Sequence, residues 1–258
     1  MIGFIKNTTT KHTESTNKTQ NTMKHLSYSS LKAFAKSPNH YLEYISREFK
    51  ETPAMVFGRA FHSLLLEPDT FHDKWAIAPK CDKRTKAGKE EWQSFSELNK
   101  GKEILDGSDY GNILKMIDNV YSEQRVSLNK INTEIKISGL ISDIEFKGVV
   151  DGLNSSHIVD VKTTQDASPQ SFNKTFFDLM YHIQAAIYCE ITGISEYYVL
   201  AVENTAPFNV QEYHVPFQVI QSGRVQLFEL IRKFKCWDGT PESYSVGLVE
   251  IEIPRWLR

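Results

Sequence analysis

The sequence predicts an α/β fold: a mixed central β-sheet flanked by α-helices, with a helical N-terminal part. Apolar residues follow a helical period before residue 130 and after residue 175, whereas between residues 133 and 163 the period shifts toward two, which is typical of strands. Strands with helices on both sides in the sequence favour one domain with a covered sheet. The composition, with 40% hydrophobic and 24% charged residues, excludes collagen-like, wholly disordered and coiled-coil proteins.

The chain of 258 residues is expected to begin with a tail. Residues 6–22 read KNTTTKHTESTNKTQNT, a polar low-complexity run that buries nothing and cannot offset the entropy of ordering it. We therefore expect residues 1–24 to be a disordered polar tail and residues 25–258 to form a single domain.

The opening third of that domain is predicted to be helical. Ser27 or Ser29 is a suitable N-cap for the first helix, and Ser37-Pro38 ends it. A later apolar helix is closed by Glu67-Pro68, because the residue before a proline disfavours the α conformation. The expected helices cover residues 26–37, a segment from Tyr41 onward, and about 54–66, 84–99 and 108–128.

Three short strands with tight connections are predicted in the middle of the chain. They lie in the segments TEIKISGL, ISDIEFKGVVDGL and HIVDVKTT, which are bounded by Gly, Asn and Ser. After them we expect a helix at about 176–192, strands at about 195–204 and 209–215, a helix at about 217–236 and a last strand near 249–254.

Two carboxylates and an ammonium group are predicted to converge at this sheet. Asp151 ends one strand, and Asp160 and Lys162 lie two residues apart on the next, so both point to one face while Val161 points to the other. Paired carboxylates are costly without a cation between them, and oxygen-rich sites suit Mg²⁺ or Mn²⁺. A lysine there could hold or deprotonate an attacking water. Taken alone, the pattern also fits a surface ion pair.

Two helices add polar residues at helical spacing. Gly58 and His62 lie one turn apart on one helix, and Gln184 and Tyr188 lie one turn apart on another. Each pair, taken alone, is also typical of a hydrogen-bonded core histidine or a packed polar network. His157, in the turn between two strands, is expected to point into solvent.

The order of these motifs resembles one nuclease superfamily. GxxxH ending at His62, Glu134 in TEIKI, then GVVD, DVK and QxxxY follow one another as in the PD-(D/E)XK nucleases, in their RecB-like branch. Within that branch the chain is most similar, over about residues 24–256, to the exonuclease VIII or RecE family of phage and prophage recombination exonucleases. The flanking segments LSYSSLKAFAKSPNHYL and VDVKTTQDASP carry the same resemblance.

The resemblance implies a role for each motif residue. The implied catalytic residues are Lys162, Asp160, Asp151, Gln184, Tyr188 and Glu134, and the implied metal ligands are His62, Asp151, Asp160 and the backbone carbonyl of Val161. Lys162 would orient or deprotonate the attacking water, and Glu134 would position water or support the ligands. Many superfamily members have glutamate where this chain has Asp160; the aspartate is similar to the RecE branch.

A basic loop is the candidate DNA contact. Residues 80–89 hold five basic residues against the single acid Asp82, although the net charge of the chain is -2. A solvated loop is the ordinary interpretation of such a run, but a nuclease needs phosphate contacts. We expect Arg84 to hold a terminal phosphate bidentately, and Lys83, Lys86 and Lys89 to contact the DNA backbone.

As a whole, the resemblance implies a Mg²⁺-dependent exonuclease, with Mn²⁺ as a substitute. It would degrade one strand of double-stranded DNA from its ends, 5′ to 3′, and leave 3′ overhangs for homologous recombination. It would form a ring-shaped homotetramer and have a single-strand annealing protein of the RecT type as partner. The alternatives are a structure-specific or repair endonuclease of the same superfamily and a catalytically silent DNA-binding module.

Other cofactors and a membrane location are not indicated. The three cysteines are widely separated and form no CxxC pair, which argues against a zinc knuckle, an iron–sulfur cluster or a disulfide framework. No segment approaches the roughly 18 apolar residues of a membrane span. We therefore expect a soluble protein in the cytoplasm of a bacterial or phage-infected cell.

Overall fold

The structure, a computed structural model, describes residues 25–48, 50–242, 248 and 250–252. The predicted tail of residues 1–24 lies outside the described residues. The described part confirms the α/β fold class, because a five-stranded mixed sheet lies between helices.

Four helices open the described chain, and their first residues explain where they begin. Ser27 forms a capping box with Ser30, and the side chains of Ser37 and Thr52 accept a backbone N–H of the second and third helices. A proline stands in the first turn of the last three, where its missing N–H costs nothing. The helices are α1 (Tyr28–Lys36), α2 (Pro38–Ser46), α3 (Pro53–Leu66) and α4 (Pro68–Lys74).

A small two-stranded parallel sheet follows, which the sequence analysis did not predict. Strands β1 (Trp75–Ile77) and β2 (Glu103–Leu105) have three residues each, too few to show a period. Helix α5 (Lys86–Leu98) connects them, and α6 (Gly107–Tyr121) leads to the main sheet. Helix α4 was also missed.

The main sheet occupies the second half of the chain. Its strands have the order β3-β4-β5-β6-β7, and all neighbours are antiparallel except β5 and β6. The elements are β3 (Asn132–Ile141), β4 (Ile144–Leu153), β5 (Ile158–Thr164), α7 (Pro169–Asp178), α8 (Tyr181–Thr192), β6 (Tyr197–Glu203), β7 (Val210–Val215) and α9 (Phe217–Cys236).

Apolar clusters cover both faces of this sheet. On β5, Ile158 joins a cluster with residues of α1, α8 and α9, whereas Val159 and Val161 join a second cluster with residues of α3 and α6. The alternation follows from the period of two in a strand. It places Asp160 and Lys162 on one face, opposite Val161, as predicted, and that face is the α8 side of the strand.

Three predicted elements differ from the structure. The helix expected at 108–128 ends at Tyr121, and the Glu212 carboxylate on β7 accepts the backbone N–H of Ser127 at 2.7 Å beyond it. The helix expected at 176–192 is divided into α7 and α8 because Met180 adopts a left-handed φ of 61°. Of the strand expected near 249–254, residues 250–252 form no strand, and the others lie outside the described residues.

Within the described ranges, no helix has both the length and the apolar character needed to cross a membrane.

Helices α8 and α9 pack closely enough that Gly223 cannot carry a side chain without a shift. A Cβ there would lie 2.1 Å from the carbonyl oxygen of His182. We expect Gly223→Ala to lower the free energy of unfolding by about 1–3 kcal/mol, the usual cost of overpacking, as measured by thermal unfolding. Gly111→Ala in α6 is the matched control: nothing lies within 4 Å of its added Cβ, so it should stabilise by roughly 0.5–1 kcal/mol. Equal stabilisation by both variants would contradict this packing.

Candidate active site

The site is built where β4 and β5 part. The two strands pair only through Gly152 with Val159 and through Leu153 with Ile158. Beyond these pairs the Asp151 carboxylate accepts the backbone N–H of Val161 at 2.6 Å. A side chain thus takes the place of the absent ladder bond, since a buried N–H needs an acceptor.

Asp160 and Lys162 form a buried ion pair on β5. Their Oδ2 and Nζ atoms are 2.6 Å apart, and the side chains are 4% and 16% exposed. The Lys162 ammonium also lies 4.7 Å from the ring centre of Tyr181, an arrangement that favours a desolvated cation. The spacing of two in the sequence therefore brings the acid and the lysine together in the structure.

Helix α3 brings His62 to the same place. Its Nδ1 lies 3.7 Å from Oδ1 of Asp151. One turn before it, Arg59 binds the carboxylates of Glu51 and Glu103 and lies over the ring of Trp75. These contacts tie α3 to β1 and β2 and so fix the position of the imidazole.

Glu134 completes a cluster of possible metal ligands. By the register of β3 and β4 it lies opposite Asp151, and one ligand atom from each of His62, Glu134 and Asp151 lies within 4.8 Å of the others. Its φ of 53° is left-handed, which is uncommon for a residue with a Cβ. Strain of this kind persists where surrounding structure enforces it and is concentrated at functional sites.

The face of α8 closes the site from the other side. Gln184 Nε2 donates to Oδ1 of Asp160 and to the Tyr188 oxygen, both at 3.2 Å, and the Tyr188 hydroxyl donates to the carbonyl of Val149 at 2.9 Å. The ring of Tyr188 fits because Gly148 has no side chain: a Cβ there would lie 2.8 Å from its Cε1.

Tyr181 is a site residue that the sequence analysis missed. It precedes Gln184 by three residues and Tyr188 by seven, which is the spacing of one helix face. The sequence could therefore have predicted Tyr181 as a site residue together with Gln184 and Tyr188.

The buried charges shift one another's pKa values in opposite directions. Burial raises the pKa of Asp160 to about 6, against the opposing effect of Lys162. Burial would also raise the pKa of Asp151, but the His62 imidazole, the Lys162 ammonium and the N–H of Val161 together outweigh burial and lower that pKa. Burial disfavours the charged form of Lys162 and would lower its pKa, but the carboxylates of Asp160 and Asp151 raise that pKa above the ordinary value. Paired acids with separated pKa values are typical of sites that use both protonation states.

The donor set fits a hard divalent cation. Two carboxylates and an imidazole converge in the cluster of His62, Glu134 and Asp151, and oxygen-rich sets of this kind suit Mg²⁺ or Mn²⁺. A strand residue directs its N–H and C=O to the same side, so the carbonyl of Val161 faces Asp151 as its N–H does. Asp160, also predicted as a ligand, stands outside the three-residue cluster among the described residues and is held by Lys162 and Gln184.

The basic loop is not brought to this cluster. Arg84 is 91% exposed and pairs with Asp82 at 3.0 Å, and Lys83 lies over the ring of Trp92. The Lys86 ammonium is 4.0 Å from Glu90. The pocket of about 270 Å³ beside the cluster is lined by residues of α3, α4, β1, β2 and β3, and not by residues 80–89.

His157 was expected to point into solvent, which is wrong. The side chain is buried, and its Nε2 lies 2.9 Å from the carbonyl oxygen of Ser127. The loop that follows α6 covers this turn. Because His157 and Ser127 are 30 residues apart, the local sequence around His157 does not indicate this contact.

Metal binding at this site should weaken as the pH falls through about 6. Asp160, with a pKa of about 6, becomes neutral below that pH, and His62, whose pKa Asp151 raises against the effect of burial, becomes a cation. Both changes oppose a bound cation. We expect Mn²⁺ to raise the melting temperature more at about pH 8 than at about pH 5.5, as measured by scanning fluorimetry. Equal increases would contradict the assignment; Asp143→Asn, in an exposed turn, is the control and should keep the difference.

The comparisons with known proteins agree with this fold. A family model described as a PDDEXK-like domain of unknown function (DUF3799) matches residues 27–252. A solved structure from Eubacterium rectale, provisionally assigned as an exonuclease, is 13% identical, with a TM-score of 0.58 over 88% of this chain and 86% of that one.

An alkaline exonuclease from Laribacter hongkongensis is 8% identical, with a TM-score of 0.31 over 83% of this chain and 89% of that one. A search of curated proteins finds no match. Because the family model spans most of the chain, the protein belongs to this PDDEXK-like family, whose fold is that of the PD-(D/E)XK nucleases.

Proposed function

We propose that the protein is a Mg²⁺-dependent exonuclease that degrades one strand of double-stranded DNA from its ends. The observation that carries the proposal is the placement of the Asp160–Lys162 pair beside the cluster of His62, Glu134 and Asp151. A positioned ammonium next to a site for hard cations is suited to hydrolysis of a phosphodiester, whose transition state gathers negative charge.

The candidate metal ligands are the residues of the cluster described above. His62, Glu134 and Asp151, with the carbonyl of Val161, would hold a cation, and Asp160, which Lys162 and Gln184 contact, would be the further ligand. When bound, divalent cations would polarise the phosphate and lower the pKa of a water.

Lys162 would orient the attacking water and stabilise the charged phosphate. Its pKa is raised despite burial because Asp160 and Asp151 face it, so at neutral pH it is an ammonium group that donates hydrogen bonds. This favours the orienting role over proton abstraction. Gln184 and Tyr188 would hold Asp160 and the β4 backbone in place through their hydrogen bonds.

The direction of degradation and the biological role come from the sequence resemblance. The ordered motifs resemble the RecE family, which supports degradation from 5′ to 3′, production of 3′ overhangs for recombination and an annealing protein of the RecT type as partner. The same resemblance supports a ring-shaped homotetramer.

Digestion of linear and covalently closed duplex DNA by the purified protein with Mg²⁺ tests the proposal. An exonuclease digests only the linear form. Digestion of both forms would instead identify an endonuclease, and digestion of neither would identify a silent DNA-binding module. Labels at the 5′ and the 3′ end of the linear duplex give the direction.

Asp160→Ala and Lys162→Ala should each abolish cleavage while the fold is kept, although each breaks a buried ion pair and so lowers the free energy of unfolding by roughly 3–5 kcal/mol. We expect less than about a tenth of the wild-type rate at saturating Mg²⁺, because a tenfold change is only about 1.4 kcal/mol of barrier. Circular dichroism checks the fold, and Lys147→Ala, an exposed lysine of β4 paired with Glu145, is the control. Near-normal rates in either folded variant would refute the assigned roles.

Arg84 remains the predicted contact for a 5′-terminal phosphate. If Arg84 binds that group, the wild-type protein should cut a 5′-phosphate end roughly 10- to 150-fold faster than a 5′-hydroxyl end, since a charge-assisted hydrogen bond contributes about 1.5–3 kcal/mol. Arg84→Ala should erase the preference, because removing either partner loses the same contact. Lys83→Ala, the control, should slow both ends alike. A preference that persists in Arg84→Ala would remove this residue from the site.

A further inference from the structure

An open groove of about 600 Å³ lies between helices α1 and α2. We call it the α1–α2 groove. Its lining residues include the cations Lys32, Lys36 and Arg47, the acid Glu43 and the rings of Tyr28 and Tyr44, and Asp178 and Met180 form one edge. Neither the motif residues nor the basic loop contributes to it.

The groove is joined to the catalytic lysine by a row of side-chain contacts. The ammonium of Lys162 lies over Tyr181, whose ring centre is 6.4 Å from that of Tyr28. The ammonium of Lys32 lies 5.7 Å from the Tyr28 ring centre. Burial and, after it, the charge of Lys162 lower the pKa of Lys32, which is consistent with two cations that face one space.

The cations of the groove have no acid partner, unlike those on the other side of the site. Among the described residues, none of Lys32, Lys36 and Arg47 forms an ion pair within 4.0 Å. In the pocket beside the cluster of His62, Glu134 and Asp151, by contrast, Arg59 and Lys74 are each bound to a glutamate. Of these two pockets, the α1–α2 groove is therefore the one whose cations are not bound to an acid.

The spacing of these groups suits a chain of phosphates and bases. Tyr28, Lys32 and Lys36 lie at four-residue intervals on α1, about 5–6 Å apart on one helix face. The Arg47 guanidinium lies 5.3 Å from the ring centre of Tyr44 on α2. Cations that alternate with aromatic rings are typical of surfaces that bind a single nucleic-acid strand. A groove of this volume matches a small-molecule pocket.

We propose that the α1–α2 groove binds the strand that is being cut as a single strand, with its phosphates on Lys32, Lys36 and Arg47 and a base on Tyr44. This inference rests on the proposed nuclease function. Beyond that function, the inference specifies the path of the strand, which would run from the α1–α2 groove past Tyr28 and Tyr181 to Lys162. Duplex would have to separate before it reaches the lysine.

The test measures strand binding apart from cleavage. Anisotropy of a fluorescent oligothymidine, with EDTA present, gives the affinity of the wild-type protein and of the triple variant Lys32→Gln, Lys36→Gln, Arg47→Gln. We expect binding to weaken at least tenfold and the salt slope to become shallower by about 2, since each phosphate contact on a single strand contributes about 0.7. Tyr44→Leu should weaken binding severalfold without changing the slope. Lys100→Gln, Lys115→Gln, Lys235→Gln is the matched control and should bind within twofold of wild type.

Two further measurements distinguish a failure of the groove assignment from a failure of the proposed nuclease function. The double variant Lys36→Gln, Arg47→Gln changes only exposed residues, so it should keep the fold and lose part of the affinity and slope. Cleavage of linear duplex is measured in parallel. Wild-type affinity in both groove variants would overturn the groove assignment, even if the protein is a nuclease. Loss of affinity in the groove variants of a protein that cuts no DNA would support the groove and refute the nuclease.

Discussion

The separation of β4 from β5 is the constraint on which the rest of the site depends. Two strands that remained paired would fill the space between them with ladder hydrogen bonds and leave no room for a cation. Here only two residue pairs join them, and Asp151 accepts the N–H that the ladder leaves free. The same carboxylate is therefore both a structural acceptor and a ligand candidate, and its second oxygen faces His62. Any change that restored the ladder would close the site.

Charge balance explains why so many ionisable groups can be buried together. Asp151 and Asp160 face one ammonium and one imidazole, and the pKa shifts show that the compensation is unequal: Asp151 is held ionised, while Asp160 gains a proton more readily than usual. Burial also raises the pKa of Glu134, with Asp151 acting in the same direction. The acidic groups of the site outnumber the basic ones. A bound cation would therefore favour the ionised forms of the carboxyl groups.

The sequence predicted what depends on local period and missed what depends on distant contacts. Alternation along a strand was enough to place Asp160 beside Lys162, and helical spacing was enough to pair Gln184 with Tyr188. The left-handed backbone of Glu134 could not be foreseen, because the segment TEIKI contains no glycine or asparagine that would signal a positive φ. Nor could the α1–α2 groove, since each of its helices shows only an ordinary amphipathic pattern. The basic loop drew attention through its composition, although its charges are partly satisfied within the loop and α5.

The close contact between Gly148 and Tyr188 has a consequence for how relatives of this chain are recognised. The motif of this chain is defined by its charged residues, yet the ring that spans from α8 to the β4 backbone needs an empty position opposite it. A homologue that kept both aspartates and the lysine but had a bulkier residue at the position of Gly148 could not seat the tyrosine. The glycine is thus a structural requirement of this contact, and it can be compared among homologues together with the acidic motif.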